Sequence, residues 1–215
     1  MIRAAGLLAA LLAVAAAVGA AAPPITREQA LKDIASSDRE ARRQAAAWLG
    51  DLGQMADTPV LVRALRDDDE VVRDLAEHSL WQVWSRSGDP EIDALFQRGV
   101  AEMRQGAPQA AIETFTLIIA RKPDFAEAWN KRATVYYLIG EYDRSRHDCD
   151  EVMKRNPSHW GALAGYGQIY LQLDHPEKAL EYFQRALAVN PNLPSVEAAV
   201  AELQRLVLEK RKGTI

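Results

Sequence analysis

The sequence has little of what catalysis and metal binding require. Its 215 residues include one cysteine, Cys149, and four histidines that lie far apart along the chain. A single cysteine cannot form an internal disulfide, and scattered histidines do not supply the convergent ligands of a metal site. The glycine-rich phosphate loop, the CxxC pair and the G-x-S-x-G motif are all missing. We therefore predict no catalytic residue, no metal, no cofactor and no enzymatic activity.

The sequence also lacks an excess of positive charge. Its 26 lysines and arginines are outnumbered by 30 aspartates and glutamates, which gives a formal net charge of −4. A dedicated nucleic-acid binder needs a basic face, so we expect no nucleic-acid partner, and no motif points to a small-molecule substrate. The 48% hydrophobic content is ordinary for a globular protein.

The N-terminal segment has the form of a secretory signal peptide. A short basic start, Met1-Ile2-Arg3, precedes uncharged residues 4–22, which are rich in alanine and leucine, and Pro23-Pro24 follows. We predict cleavage after Ala20, so that residues 1–20 are removed and the mature protein is periplasmic or secreted. The alternative is an uncleaved anchor to residue 22, which would hold the protein on the inner membrane facing the periplasm.

A period of 34 residues organises the second half of the chain. Pro123, Pro157 and Pro191 are spaced by this period, and each follows an apolar helical run that a proline ends. The residues between them match at equal offsets: Leu95, Arg98, Gly99, Glu102, Ala111 and Phe115; Trp129, Arg132, Ala133, Tyr136, Ser145 and Cys149; Leu163, Tyr166, Gly167, Tyr170, Ala179 and Phe183. This pattern resembles the tetratricopeptide repeat, W-x2-L-G-x2-Y, then A-x3-F, then P.

The resemblance implies an all-α fold, a right-handed helical-repeat solenoid with three units at residues 92–125, 126–159 and 160–193. Gly106, Gly140 and Asp174 then fall at the turn inside each helical hairpin. An amphipathic helix at 194–212 would cap the last unit. Cys149 takes the place of Phe115 and Phe183, so we predict that it points inward while His147 points outward.

Residues 25–88 contain a second, weaker repetition. Residues 38–45 and 69–76 align at an offset of 31 and resemble the second helix of a HEAT-like repeat. The join at residues 85–90 is too short for a free tether, so we predict that the two solenoids stack end to end. Trp48, Trp81 and Trp84 are predicted to be core residues, with a surface role for Trp81 or Trp84 as the alternative.

The acidic run at residues 67–70 allows two interpretations. Several neighbouring carboxylates suggest a calcium site, but the glycine and the distal glutamate of a calcium loop are missing. We favour helix capping, because acidic residues at a helix start bind exposed N–H groups.

In the family that the repeats resemble, the first helices line a concave groove that binds a peptide. Its register places ten residues there: Phe96, Val100, Met103, Asn130, Lys131, Thr134, Tyr137, Ala164, Gln168 and Leu171. An alternative for the first three is burial under the HEAT-like segment. The basic clamp with which some members hold a terminal carboxylate is absent, because its positions carry Phe96, Val100, Gly161 and Gly165.

Taken together, these patterns predict an exported scaffold or adaptor that binds a protein or peptide partner, in envelope assembly or secretion. One alternative is a membrane-tethered assembly factor that keeps its N-terminal anchor. Another is an envelope hydrolase, which the missing motifs disfavour.

Overall fold

The computed structural model describes residues 25–213, and within that range all of the regular secondary structure is helical. These residues form α1 (Arg27–Asp33), α2 (Arg39–Leu52), the 3-10 helix η1 (Met55–Asp57), α3 (Thr58–Ala64), α4 (Glu70–Trp84), α5 (Pro90–Arg104), α6 (Pro108–Arg121), α7 (Ala126–Leu138), α8 (Tyr142–Arg155), α9 (Trp160–Gln172), α10 (Pro176–Val189) and α11 (Pro194–Lys212). The all-α prediction is confirmed. None of the described helices is both long and apolar enough to cross a membrane. The predicted signal or anchor lies outside the described residues.

Three helical hairpins, α5–α6, α7–α8 and α9–α10, follow the 34-residue period. Each hairpin turns at a residue with positive φ: Gly106 at 69°, Gly140 at 81° and Asp174 at 55°. Glycine adopts this conformation without steric cost, and aspartate is among the few other residues that tolerate it. The spacing of these turn residues in the sequence therefore predicted the hairpins correctly.

Each hairpin is held by a side chain from its second helix that packs against a small residue of its first. A Cβ added at Gly99 would lie 2.7 Å from the Phe115 ring, and one at Gly167 would lie 2.5 Å from the Phe183 ring. The middle hairpin uses Cys149 instead, which is 2% exposed. The prediction that Cys149 points inward is confirmed, and the His147 side chain is 67% exposed, as expected.

Helix α11 covers the apolar side of the last hairpin. Val200 and Leu203 pack in one cluster with Ala179 and Phe183 of α10. This burial removes from water a face that would otherwise be exposed at the end of the array. Leu206 and Leu208, further along α11, remain 47% and 56% exposed.

The helices before residue 85 pair as α1 with α2 and α3 with α4, while α2 and α4 pack side by side. Their assignment as HEAT-like repeats stays a prediction. Of the three tryptophans predicted to be core, Trp84 is 2% exposed, Trp81 is half-buried, and Trp48 is 44% exposed. The prediction for Trp48 was wrong, since α2 buries Ala45, Ala46 and Leu49 and turns Trp48 to its outer face.

The two parts of the chain do not stack end to end. The N-terminal helices fold back onto the third unit, and one hydrophobic cluster contains Leu80 and Trp84 together with Trp160, Leu163 and Ala186. The short join at residues 85–90 therefore makes a reversal and not an extension. The physical reason is that α4 presents two large indoles, Trp81 and Trp84, whose apolar surface packs against Trp160 at the start of α9.

Polar contacts tie the same two regions together. The guanidinium of Arg66 donates to the carbonyl oxygens of Val189, at 3.0 Å, and of Ala188. The amide of Asn190 donates to Glu77 at 2.9 Å, and that of Asn192 donates to the Leu65 carbonyl at 2.8 Å. The bonds from Arg66 and Asn192 satisfy carbonyl groups at the C-terminal ends of α10 and α3.

The acidic run at the start of α4 caps a helix, as favoured. The Asp69 carboxylate accepts from the Val72 N–H at 3.1 Å and from Arg43 at 2.7 Å, and Arg42 binds Asp67 and Asp68. The Arg43 hydrogen bond and the cap lower the pKa of Asp69 to about 2, against the opposing effect of burial. A wide surface depression of about 450 Å³ lies beside these residues, and its Asp68 and Asp69 carboxylates are already paired with Arg42 and Arg43.

Candidate partner-binding groove

Helices α5, α7 and α9 lie side by side and form the inner face of the array, since α7 contacts both of the others. Each is the first helix of its hairpin, and its residues recur in the same register every 34 positions. The ten predicted groove residues are all on these helices. The structure divides them into residues that are buried, residues that are engaged within the chain and residues that line an open cleft.

The predicted groove residues of the first unit are buried or half-buried. Phe96 is 2% exposed, and its ring lies 6.0 Å from that of Phe115 and 5.2 Å from that of Phe125. Val100 and Met103 are half-buried against the same cluster. The placement of Phe96 in the groove is therefore corrected: its ring packs against rings of its own unit, and not under the HEAT-like segment.

In the second unit, Asn130 and Lys131 are engaged with Glu127, a residue that the sequence pattern did not single out. Glu127 is fully buried, and its carboxylate accepts from Lys131 Nζ at 2.9 Å and from the Asn130 amide at 3.2 Å. A lysine bound in this way is not a free cation for a ligand. The pairing of Lys131 with Glu127 depends on α7 being helical, because the two residues are one helical turn apart.

Glu127 also binds His159 of α9, and both side chains are fully buried. The distance from His159 Nε2 to Glu127 Oε2 is 2.8 Å, while His159 Nδ1 accepts from the Ala162 N–H at 3.1 Å. Because Nδ1 is an acceptor, the proton lies on Nε2 and is donated to Glu127. Burial raises the pKa of Glu127, but the bond to His159 and the charge of Lys131 outweigh it, so the pKa is lowered.

Two tryptophans of α4 cover the groove at the end where α7 and α9 begin. Trp84 stacks on His159 with ring centroids 4.7 Å apart, and Trp81 meets Trp160 edge-on at 5.2 Å. Lys131 Nζ lies 5.8 Å from the centre of the Trp81 ring. The inner-face positions at the start of α7 and α9 are therefore covered by the chain itself. Ala164 packs against this same cluster.

The rest of the groove opens as a cleft of about 190 Å³ between α7 and α9, above α8. Four predicted residues line it, Asn130, Thr134, Tyr137 and Gln168, together with Ala133, Ser145, Cys149, Gly161 and Gly165. Thr134 and Gln168 are exposed at its mouth. Leu171 does not line the cleft, because it packs toward α10 and α11.

The sequence register thus identified the cleft but missed the polar cluster beside it. A glutamate in the first turn of a helix predicts an exposed side chain that interacts with the helix dipole. Glu127 and His159 are 32 positions apart, so the two residues do not occupy equivalent places in their units. The one usable signal was Gly161 at an inner-face position, which indicates close approach of another group.

Family comparisons agree with this architecture. Two models described as tetratricopeptide repeat match residues 93–124 and 124–192. Residues 93–192 are therefore tetratricopeptide repeats, which confirms the resemblance seen in the period and the motif.

Among curated proteins, a TPR repeat-containing protein of Rhizobium etli is 31% identical over 130 residues, which are 60% of this chain and 62% of the relative. A small glutamine-rich tetratricopeptide repeat-containing protein of Dictyostelium discoideum is 28% identical over 124 residues, or 57% of this chain and 37% of the relative. The chain thus spans less than two thirds of the length of either relative.

Solved structures share the fold. The Sgt2 TPR domain from Aspergillus fumigatus has a TM-score of 0.55 at 19% identity, over 59% of this chain and 85% of that domain. The first TPR of Spaghetti (RPAP3), bound to the HSP90 peptide SRMEEVD, has a TM-score of 0.52 at 20% identity, over 54% of this chain and 93% of that one.

Proposed function

We propose that this chain is a non-catalytic scaffold that binds a segment of a protein partner in the concave groove of its repeats. The observation that carries the proposal is the cleft between α7 and α9, where Asn130, Thr134, Tyr137 and Gln168 converge. It lies beside inner-face positions at the start of α7 and α9 that Trp81 and Trp84 cover. At its mouth the exposed Gln168 amide offers a donor and an acceptor to a partner backbone. The Thr134 hydroxyl donates to the Asn130 carbonyl at 3.0 Å, so its oxygen is offered as an acceptor.

The partner segment differs from the peptide held by the Spaghetti domain. That peptide, SRMEEVD, is acidic, and an acidic ligand needs free cations in its groove. In this chain Lys131 already binds the buried Glu127, and Trp81 lies over it. We therefore propose a ligand that is not recognised through a terminal or acidic carboxylate.

Site-specific cross-linking tests the groove. A photo-reactive benzoylphenylalanine at position 168, in the cleft mouth, should capture a partner in the native host. The same group at position 184, exposed on the outer helix α10, serves as the matched control. Capture at 168 and not at 184 supports the proposal. Equal capture at both positions, or capture at 184 alone, would place binding outside the groove.

We further propose that the protein is exported and serves envelope assembly or secretion, with residues 1–20 removed. The support is the sequence pattern of residues 1–24 alone. The alternative, an anchor to residue 22, predicts an intact N-terminus and recovery with the membrane fraction. Mass spectrometry of the protein purified from its host separates the two, since a mature chain beginning at Ala21 is incompatible with an anchor.

A further inference from the structure

At the cleft the middle unit lacks an aromatic ring that its neighbours have. Phe115, Cys149 and Phe183 occupy equivalent positions, 34 residues apart. In the flanking units the phenylalanine ring lies directly on a glycine, Gly99 or Gly167. In the middle unit a thiol takes the place of the ring.

The smaller side chain leaves space that opens to the groove and is not filled from within. Cys149 and Ser145 are 2% exposed and form the buried wall, while Ala133, Gly161 and Gly165 form the sides. A Cβ added at Gly165 would lie 3.6 Å from Cys149 Sγ, an ordinary contact distance. Small residues on three helices therefore surround one hole.

The wall of this hole is neutral. The nine residues that line it are small, aromatic or uncharged polar ones. The nearby Glu127 and Lys131 are paired with each other, and Ser145 is committed to the Ala133 carbonyl at 2.8 Å. Moving a charged group into such a site without a counter-charge is costly, so the occupant is uncharged.

The dimensions fit one side chain. The cleft holds about 190 Å³, and an apolar protein cavity of about 150 Å³ is enough to bind benzene. A phenyl ring or a leucine side chain therefore fits, whereas an intact helix does not.

We propose that the cleft receives one apolar side chain, of phenylalanine or leucine size, from an extended partner segment, which supplies the ring that the middle unit lacks. This inference rests on the proposed function and specifies its ligand. At the mouth the Gln168 amide and the Thr134 oxygen, the latter as an acceptor, bind the segment's backbone on either side of the inserted group.

Capped peptides test the ligand class. Acetyl-Gly-Ser-X-Ser-Gly-amide, with X as phenylalanine, leucine, alanine, aspartate or lysine, is titrated into the full chain while methyl and amide NMR signals are recorded. We expect the phenylalanine and leucine peptides to shift the Ala133 methyl and Gly165 amide signals, and the other three to leave them unchanged. Equal shifts from the aspartate or lysine peptide, or no shift from any peptide, would overturn the proposal.

Filling the hole from within tests the mechanism. The double variant Ala133→Gly/Cys149→Phe reproduces the glycine and ring of the flanking units, so it should fold and should bind the phenylalanine peptide about tenfold or more weakly. Gln184→Phe, which adds the same ring at an exposed position of α10 outside the cleft, is the matched control and should retain binding. If the double variant fails to fold, Gly165→Leu fills the same space from α9. Unaltered binding by a folded, filled variant contradicts the proposal.

The experiments distinguish failure of the proposed groove function from failure of the proposed ligand. Cross-linking at position 168 together with a silent phenylalanine peptide would mean that a partner uses the groove without inserting an apolar side chain. Loss of both signals would remove the groove as a binding site.

Discussion

Gly161 lies directly beneath Trp81. A Cβ added at Gly161 would be 2.9 Å from Cη2 of the indole and 3.1 Å from Cε1 of His159. This contact joins the first helix of the third repeat to the last N-terminal helix, across 80 residues of chain. The glycine is required because no other residue allows the ring to come so close.

Gly161→Val should weaken this junction. The added methyl groups have no space, and overpacking of this kind costs about 1–3 kcal/mol. Urea unfolding followed by circular dichroism measures the loss. Gly165→Ala is the control on the same helix, because its Cβ would have ordinary contact distances; it should be neutral or stabilise by roughly 0.5–1 kcal/mol through helix propensity. Equal midpoints for both variants would contradict the structure.

Trp81→Ala should uncover Lys131. The indole lies over the ammonium group in the folded chain, so its removal should increase labelling of Lys131 by an amine-reactive reagent, read by mass spectrometry. Stability should fall by about 1–3 kcal/mol, less than for a fully buried tryptophan. Trp48→Ala, at a site that is 44% exposed, should change neither measurement by much. Lys131 labelling that is unaffected by Trp81→Ala would exclude the indole as its cover.

The buried Glu127 should make stability fall in acid. Its pKa in the folded chain is lower than the ordinary 4.5, so its stabilising contribution is complete above that value and is lost as the pH falls through the lower folded pKa. Glu127→Gln should flatten the acid side of the stability curve and cost about 1.5–3 kcal/mol near neutrality. Glu113→Gln, at an exposed position on α6, should leave the curve unchanged. A wild-type slope in Glu127→Gln would show that other carboxylates account for it.

Cys149 should be unreactive although it forms part of the cleft wall. Burial, and then the charges of Asp148 and Asp150, raise the pKa of its thiol to about 12. At pH 8 very little thiolate is present, and the thiolate is the reactive form. We expect an aromatic disulfide reagent to modify the folded chain far more slowly than the urea-unfolded chain. Rapid reaction of the folded chain would show that the thiol is accessible and ionised.

The repeats could be predicted from the sequence, but the packing of the N-terminal helices against them could not. Local rules decide where a hairpin turns, so the positions of Gly106, Gly140 and Asp174 in the sequence are enough to predict the turns. The cleft was also accessible to prediction, because Thr134, Tyr137 and Gln168 follow from the register of the repeat.

Long-range contacts escaped prediction for a physical reason. The approach of α4 to α9 depends on the superhelical path of all the intervening helices, which no local pattern in the sequence determines. Phe96 is a second case: its register indicated the groove, but the ring of Phe125, at the end of the same unit, packs against it. Glu127 stands in the first turn of α7, where a glutamate side chain is normally exposed, and yet it is fully buried.

The bonds from Arg66 to the carbonyls at the end of α10, and from Asn192 to Leu65, have a consequence for how the molecule melts. A linear repeat array contacts only its neighbours, so its units can unfold one after another from an end. Here the end of α3, in the N-terminal helices, is bonded to the end of α10, in the last repeat. Fraying of the last repeat must release the N-terminal helices at the same moment, which links both ends in one cooperative transition.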